Sequence, residues 1–376
     1  MGLKTALVGA LSAVLLAPGL TQAAATHRRM HDEIMALKIS EVNPGQAEVA
    51  KAFNDKSNDD DKDKDDDKDK DDDKDNGSGN NGPYVPNHYS VDLSKPFNFY
   101  SYAGTVHEKY GPYAFAVDAV NQRIFFTVPD TPERPKGFSC VTALNMDGSG
   151  PQEYMYLYGF GAMNVSFAAE PVGNNTRLWF EVDPNESGHA QRVAAVMWES
   201  ELKAYNPENV QVKAAPVKGA TDYLPTYDPA NQVLVIRYHL NGQVHTAAYD
   251  VNDAAENDFS KPLYDVQIPS LDTVSKTLRG YAALGQNLYI LTGDSSTDHF
   301  PQTNAEITNV NINTLNITQG PVATQVKGRD PYDDVVPQGL GMYYEVGKEN
   351  QLIVGVAGLS ATHREAHLFA NKEILV

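Results

Sequence analysis

A polar turn that runs straight into a bulky apolar strand recurs five times after residue 110, about fifty-five residues apart. The copies are Asn121-Gln122-Arg123-Ile124-Phe125-Phe126, Asn175-Thr176-Arg177-Leu178-Trp179-Phe180, Asn231-Gln232-Val233-Leu234-Val235-Ile236, Gly285-Gln286-Asn287-Leu288-Tyr289-Ile290 and Asn350-Gln351-Leu352-Ile353-Val354-Gly355. Their anchors at Ile124, Leu178, Val233, Leu288 and Leu352 lie 54, 55, 55 and 64 residues apart. Strand-rich repeats of this length are the mark of a β-propeller with one four-stranded blade per repeat. The class expected is therefore all-β, a five-bladed β-propeller over 84–376. Further strands are expected at Glu153 to Tyr158, Arg192 to Trp198, Val244 to Val251, Ala305 to Ile312 and Ala366 to Phe369, separated by Asn, Gly, Asp and Pro clusters. No stretch after residue 85 carries a helical period of useful length. Closing the ring requires the ends to pair, and the expected partners are 97–103 and 364–375.

The N-terminal part reads differently. Lys4, an apolar run from Ala6 to Leu16 and the small residues Ala23-Ala24-Ala25 have the form of a secretory signal peptide over 1–25. Its apolar core is shorter than the roughly 20 residues that span a bilayer. A secreted, extracellular protein with no membrane insertion is expected. Residues 26–53 read as short amphipathic helices broken at Asn43-Pro44-Gly45, and Arg28-Arg29 before them is either a processing site or a polar flank. Residues 54–83 hold an Asp/Lys tract and a Gly/Asn/Ser run with no apolar side chain to bury, which predicts a disordered acidic linker. Calcium capture is the other reading of the tract, but it lacks the Gly and terminal Glu of an EF-hand loop.

Charge and cysteine usage narrow the chemistry. Of the net charge of -19, residues 55–75 carry -7, from thirteen Asp and six Lys. An acidic chain with no basic stripe is unsuited to nucleic acid. The single cysteine, Cys140, lies in a strand-like apolar run and reads as core. His363-Arg364-Glu365-Ala366-His367 has the wrong order, and the wrong local structure, for the helical H-E-x-x-H zinc motif. No metal and no cofactor are expected.

Several runs resemble one family. They are Gly159-Phe160-Gly161 with Val165-Ser166 and Glu170-Pro171-Val172-Gly173, then Leu178-Trp179-Phe180-Glu181-Val182-Asp183, Val235-Ile236-Arg237-Tyr238, Arg279-Gly280-Tyr281, Pro337-Gln338-Gly339, and Leu352 to Gly358 with Arg364 and Leu368-Phe369. Their collinear order over about 90–375 is similar to that of the TagC-like (teichoic-acid biosynthesis protein C-like) propellers, which share their fold with receptor-binding proteins of staphylococcal phages. The resemblance implies recognition of cell-surface carbohydrate. Departures fall on polar positions. Gly161-Ala162-Met163 stands where the family has Gly-His-Gly, Arg279-Gly280-Tyr281 where it has Gln-Gly-Tyr, and Val336-Pro337-Gln338-Gly339 where it has Glu-Pro-Glu-Gly. The first-blade Gln-Ser-Phe-Ala-Phe-Asp appears as Pro112-Tyr113-Ala114-Phe115-Ala116-Val117-Asp118 after Gly111.

Sugar sites combine aromatic faces with planar polar side chains, and Arg adds bidentate contact to carboxylates or phosphates. Tyr113, Arg237, His239, Arg279, Tyr281, Gln338 and Arg364 are the candidate ligand-binding residues, with a polysaccharide or cell-surface glycan as partner. Three functions follow. The first is a carbohydrate-binding propeller that recognises cell-wall or extracellular glycan. The second is a polysaccharide lyase or glycoside hydrolase, with Glu181, His239, Tyr281 and Arg279 as its catalytic candidates and Glu170 as the carboxylate to pair with Glu181. The third is a protein-interaction scaffold, which would show a broad apolar patch at one end of the ring. Trp179, two residues before Glu181 on the same strand face, reads as inter-blade core or as a ligand platform.

Overall fold

The computed structural model describes residues 84–86, 90–95, 97, 99–105, 112–129, 138–147, 149, 152–158, 160, 165–199, 204–205, 210–271, 277–293, 305–324, 334–346, 348, 350–359 and 364–371. The signal peptide, the 26–53 segment and the 54–83 tract lie outside the described residues.

The first strand, β1 (Phe99–Thr105), joins the last blade. Blade 1 is β2 (Ala114–Asp118), β3 (Arg123–Pro129), β4 (Phe138–Asn145) and β5 (Glu153–Tyr158), with the short β9 (Ala204–Tyr205) parallel on its edge. Blade 2 is β6 (Ala168–Val172), β7 (Asn175–Pro184), β8 (Ala190–Met197) and β10 (Val212–Ala214). Blade 3 is β11 (Thr221–Asp228), β12 (Val233–Leu240), β13 (Gln243–Asp250) and β14 (Tyr264–Gln267). Blade 4 is β15 (Thr277–Leu284), β16 (Asn287–Gly293), β17 (Glu306–Asn311) and β18 (Ile317–Ala323). Blade 5 is β19 (Asp334–Tyr343), β20 (Gln351–Leu359) and β21 (Arg364–Ala370), completed by β1.

The five repeat anchors all sit on second strands, β3, β7, β12, β16 and β20. Ile124, Leu178, Leu288 and Leu352 face the gap to the preceding blade, whereas in β12 that place is taken by Leu234 and Val233 faces the next gap. Each is buried, and in the first four blades it follows a connection of two to four residues, which is why the period shows in the sequence. The ring closes as expected, β1 pairing antiparallel with β21 from Phe99 opposite Ala370 to Thr105 opposite Glu365. First strands line the centre, each against its neighbours in the cyclic order β2, β6, β11, β15, β19.

Five apolar clusters fill the five gaps between blades. Phe125 meets Leu178 and Phe180 between blades 1 and 2, and Trp179 meets Leu234 and Ile236 between blades 2 and 3. Tyr281 and Leu288 meet Val233 and Val235 between blades 3 and 4, Leu291 meets Val354 between blades 4 and 5, and Ile353 and Leu368 meet Phe126 where the ring closes. Each fully buried side chain of this size contributes about 1.5–3 kcal/mol. Trp179 and Cys140 are completely buried and belong to this core. The strand expected through Val251 ends one residue earlier. There the Asp250 side chain accepts from the Asn252 amide and caps the one-turn helix α1 (Val251–Ala255).

Where blades 5 and 1 meet, an aromatic ring lies on a bed of glycines. Cβ atoms at Gly339, Gly341 and Gly355 would come within 2.8, 2.6 and 2.7 Å of the Phe115 ring, so only glycine lets the first-blade Phe115 lie against blade 5. The void left among Phe115, Phe167, Thr226 and Leu340 is about 20 Å³, little more than one water needs.

Candidate functional site

The turns between first and second strands all fall at one end of the ring. In blades 1 and 3 they read Asp-x-x-Asn, and the aspartate folds the turn onto itself. Asp118 accepts from the Asn121 amide at 2.9 Å and from Asn121 Nδ2 at 2.8 Å. Asp228 accepts from the amides of Ala230 and Asn231 at 3.0 and 3.3 Å and from Asn231 Nδ2 at 2.8 Å. The next residue, Gln122 or Gln232, then takes a left-handed φ of 55°. Its carbonyl accepts from the first residue after the third strand, Met146 at 3.0 Å or Val251 at 3.2 Å. The same aspartates tie blades together. Asp118 Oδ2 accepts from Thr176 Oγ1 at 2.5 Å, and Asp228 Oδ2 accepts from the Gly285 amide at 2.7 Å.

Inside this circle of turns lies a recess of about 590 Å³, lined by blades 1, 2, 3 and 5. That volume is within the range of small-molecule sites. Tyr227, Glu170 and Met342 contribute from the first strands, and Gln122, Gln232 and Asn252 from the turns and α1. Two exposed valines, Val120 and Val346, stand on its lining.

Tyr227 and Glu170 give the recess its chemistry. The Tyr227 hydroxyl has no hydrogen-bond partner among the described residues, although the ring is partly buried. Burial pushes its phenol above the ordinary tyrosine range, and the nearby Glu170, Asp228, Asp118 and Asp250 carboxylates push it further. It stays neutral and can both donate to and accept from a ligand hydroxyl. Glu170 is 4% exposed, accepting from Trp179 Nε1 at 2.8 Å and from Arg177 Nη1 at 3.1 Å. Burial raises its carboxyl above the usual range despite those bonds.

The residues chosen from sequence lie elsewhere. Tyr113, just before β2, and Gln338, on β19, are both partly buried. Arg279 donates from Nε to the Gly293 carbonyl at 2.9 Å. Arg237 is 4% exposed, and its amide donates to the Tyr281 hydroxyl at 2.9 Å. That hydroxyl donates its one proton to the Leu224 carbonyl, with the Val235 carbonyl 2.9 Å away, across the gap between blades, so Tyr281 is a buried pin between blades 3 and 4. His239 Nδ1 is 2.9 Å from Asp222 Oδ2, and His189 Nδ1 is 2.5 Å from Asp222 Oδ1, at a bulge where Asp222 has φ 57°. Burial alone would raise the Asp222 carboxyl, but its hydrogen bonds with His239 and His189 outweigh that and hold it below the usual range. The Arg364 side chain is outside the described residues.

Glu181 and Glu170 share a strand face but are well separated. Glu170 pairs with Arg177, four positions from Glu181 on β7, a span of about 13 Å along the strand. Among the described residues no group of three His, Cys, Asp or Glu side chains could hold a metal ion.

Sequence reasoning missed Tyr227, and it placed Gln122 and Gln232 only as turn residues. The available signal was the repeat itself, which sets one polar turn per blade at the same end of the ring.

Residues 113–370 match the model of the phage five-bladed β-propeller receptor-binding platform domain. The chain belongs to that family. A solved structure with the same propeller is the tail fibre of Staphylococcus aureus phage P68, 15% identical, with a TM-score of 0.54. The match covers 72% of this chain and 52% of the fibre, so the chain spans about half the fibre's length. Looser likenesses run to an α-L-arabinofuranosidase from Lactobacillus brevis, 9% identical with a TM-score of 0.41 over 70% of this chain and 92% of that one. An α-L-arabinanase from Penicillium chrysogenum is 10% identical with a TM-score of 0.41 over 75% and 99%. No curated protein matches. As a member of the receptor-binding platform family, the chain has the family's five blades.

Proposed function

We propose that this propeller binds a cell-wall or extracellular glycan in the recess on its hairpin end and does not turn it over. The observation that carries the reading is the recess itself. It places a free phenol, two glutamines and an asparagine around a volume suited to a small ligand, with Val120 and Val346 to cover an apolar sugar face. The receptor-binding description of the family supports it. Two exposed valines fall short of the broad apolar patch that a protein scaffold would present. Binding without turnover is favoured by the sealed Tyr281 hydroxyl. The leader sequence makes the protein extracellular in this proposal.

The test is to pass the full chain over immobilised microbial and plant polysaccharides while following reducing ends and the absorbance of unsaturated uronates. Retention with no new product is the expected result. New reducing ends would make it a hydrolase, and a rise in both signals a lyase.

A further inference from the structure

The charges around the recess are unbalanced. Glu170 on its wall is matched by Arg177 at 3.1 Å, and Glu345 on its lining by Lys348 at 2.8 Å. Behind the wall, Asp118 and Asp228 are 0% and 1% exposed, and among the described residues neither has a cationic partner. Their donors are Asn121 and Thr176 in one case and Ala230, Asn231 and Gly285 in the other, all neutral. Arg123 stands opposite Asp118 in the strand register, but its guanidinium lies 3.7 Å from Glu153. Asp250 adds a third unmatched carboxylate beside Asn252, which lines the recess.

We propose that the recess selects a sugar bearing a protonated amine, a hexosamine unit, over neutral sugars and against uronates and sugar phosphates. This rests on the glycan-binding reading above. Three buried or capping carboxylates without counter-ions make the recess negative, and its partly apolar lining keeps water from screening them fully. An ammonium group entering it supplies the missing positive charge and three donors. A uronate or phosphate would meet the same carboxylates with like charge. The acetylated form of the same sugar keeps the shape and loses the charge, so it isolates the electrostatic contribution. The raised phenol of Tyr227 reports the same field, since all four carboxylates acting on it push in one direction.

The test titrates the full chain by calorimetry with glucosamine oligomers, the matching N-acetylglucosamine oligomers and galacturonic acid oligomers, at low and at high salt. The expected result is binding of the amine about tenfold tighter than its acetylated counterpart. Uronate should not bind, and the preference should shrink as salt rises. Asn252→Lys, an exposed change on the recess lining, should abolish the preference for the amine. Glu345→Gln should reduce it by about threefold. Equal affinity for amine and acetylated oligomers would overturn the charge selection while leaving glycan binding intact. Tightest binding of the uronate would overturn it as well. Failure of every sugar to bind, with wild-type thermal unfolding retained, would remove the glycan reading and this inference together.

Discussion

Thr176 in the second blade donates from Oγ1 to Oδ2 of Asp118 in the first at 2.5 Å, with both residues fully buried. The contact joins two blades at the turn that each repeat supplies, and the Gly285 amide does the same for Asp228 at 2.7 Å. Removing the donor leaves a buried carboxylate short of a partner. Thr176→Val should lower stability by about 1–3 kcal/mol, and Thr176→Ser should restore most of it. Urea unfolding midpoints at neutral pH would decide this, and equal midpoints for the valine variant and the parent would show that the contact does not stabilise the ring.

Asp228 gives that joint a pH dependence. Burial raises its carboxyl above the usual range, and the bonds from Asn231, Gly285 and Ala230 offset this only in part. A carboxyl raised in the folded state holds more protons there than in the unfolded chain. Its contribution to stability therefore falls as pH rises from the unfolded value of about 3.9 to the raised folded value. Relative to Asp228→Asn, which cannot titrate, the parent should gain stability as pH is lowered from neutral towards 4 and gain nothing further below that. Thermal unfolding of both proteins across that window measures the gap, and a gap that widens with rising pH would refute the assignment.

The glycines packed on either side of β19 make a steric prediction. A Cβ at Gly280 would lie 2.5 Å from the Leu340 backbone nitrogen, whereas one at Gly341 would meet only the Phe115 ring, at 2.6 Å. Backbone cannot move aside as a side chain can. Gly280→Ala should cost more than Gly341→Ala, for which about 1–3 kcal/mol is expected. Phe115→Leu combined with Gly341→Ala should recover part of the loss, and the coupling energy from a double-mutant cycle on denaturant unfolding reads it directly.

Ring and recess were not equally legible from sequence. Ile124, Leu178, Val233, Leu288 and Leu352 announced the blades because each marks a local event, a polar connection feeding a buried strand. Closure by β1 and β21 followed from topology alone. The recess is non-local. Tyr227, Glu170, Gln122 and Met342 come from four blades, and their shared end of the ring depends on strand direction and on how far each inner strand runs. Tyr281 and Arg237 looked like ligand residues by type, but their environment is the gap between blades 3 and 4.

Tyr227 is the recess residue whose removal separates binding from folding. Its hydroxyl makes no hydrogen bond among the described residues, so Tyr227→Phe takes nothing from the fold. Glycan affinity should fall about five- to tenfold, the worth of one hydrogen bond to a ligand hydroxyl. The unfolding temperature should stay within about 2 °C of the parent. Unchanged affinity in a calorimetric titration would move the ligand out of the recess.

Closure of the ring predicts where the chain can be cut. Residues 84–97 precede β1, yet Val91, Leu93 and Phe97 are buried in the cluster between blades 4 and 5, and the Val91 amide donates to the Tyr289 hydroxyl at 2.7 Å. A chain beginning at 84 keeps every described element and should unfold at the temperature of the full chain. One beginning at 106 loses β1 together with those three side chains, at about 1.5–3 kcal/mol each. It also strips β21 of its outer partner and exposes an unpaired strand edge. That shorter chain should unfold well below the other and aggregate. A chain ending at 363 should fare worse, because without β21 the strand β1 has no partner in blade 5 and β20 is left with β19 alone. Circular dichroism melts of the three truncations rank them, and a stable chain ending at 363 would mean that the last blade does not hold the ring shut.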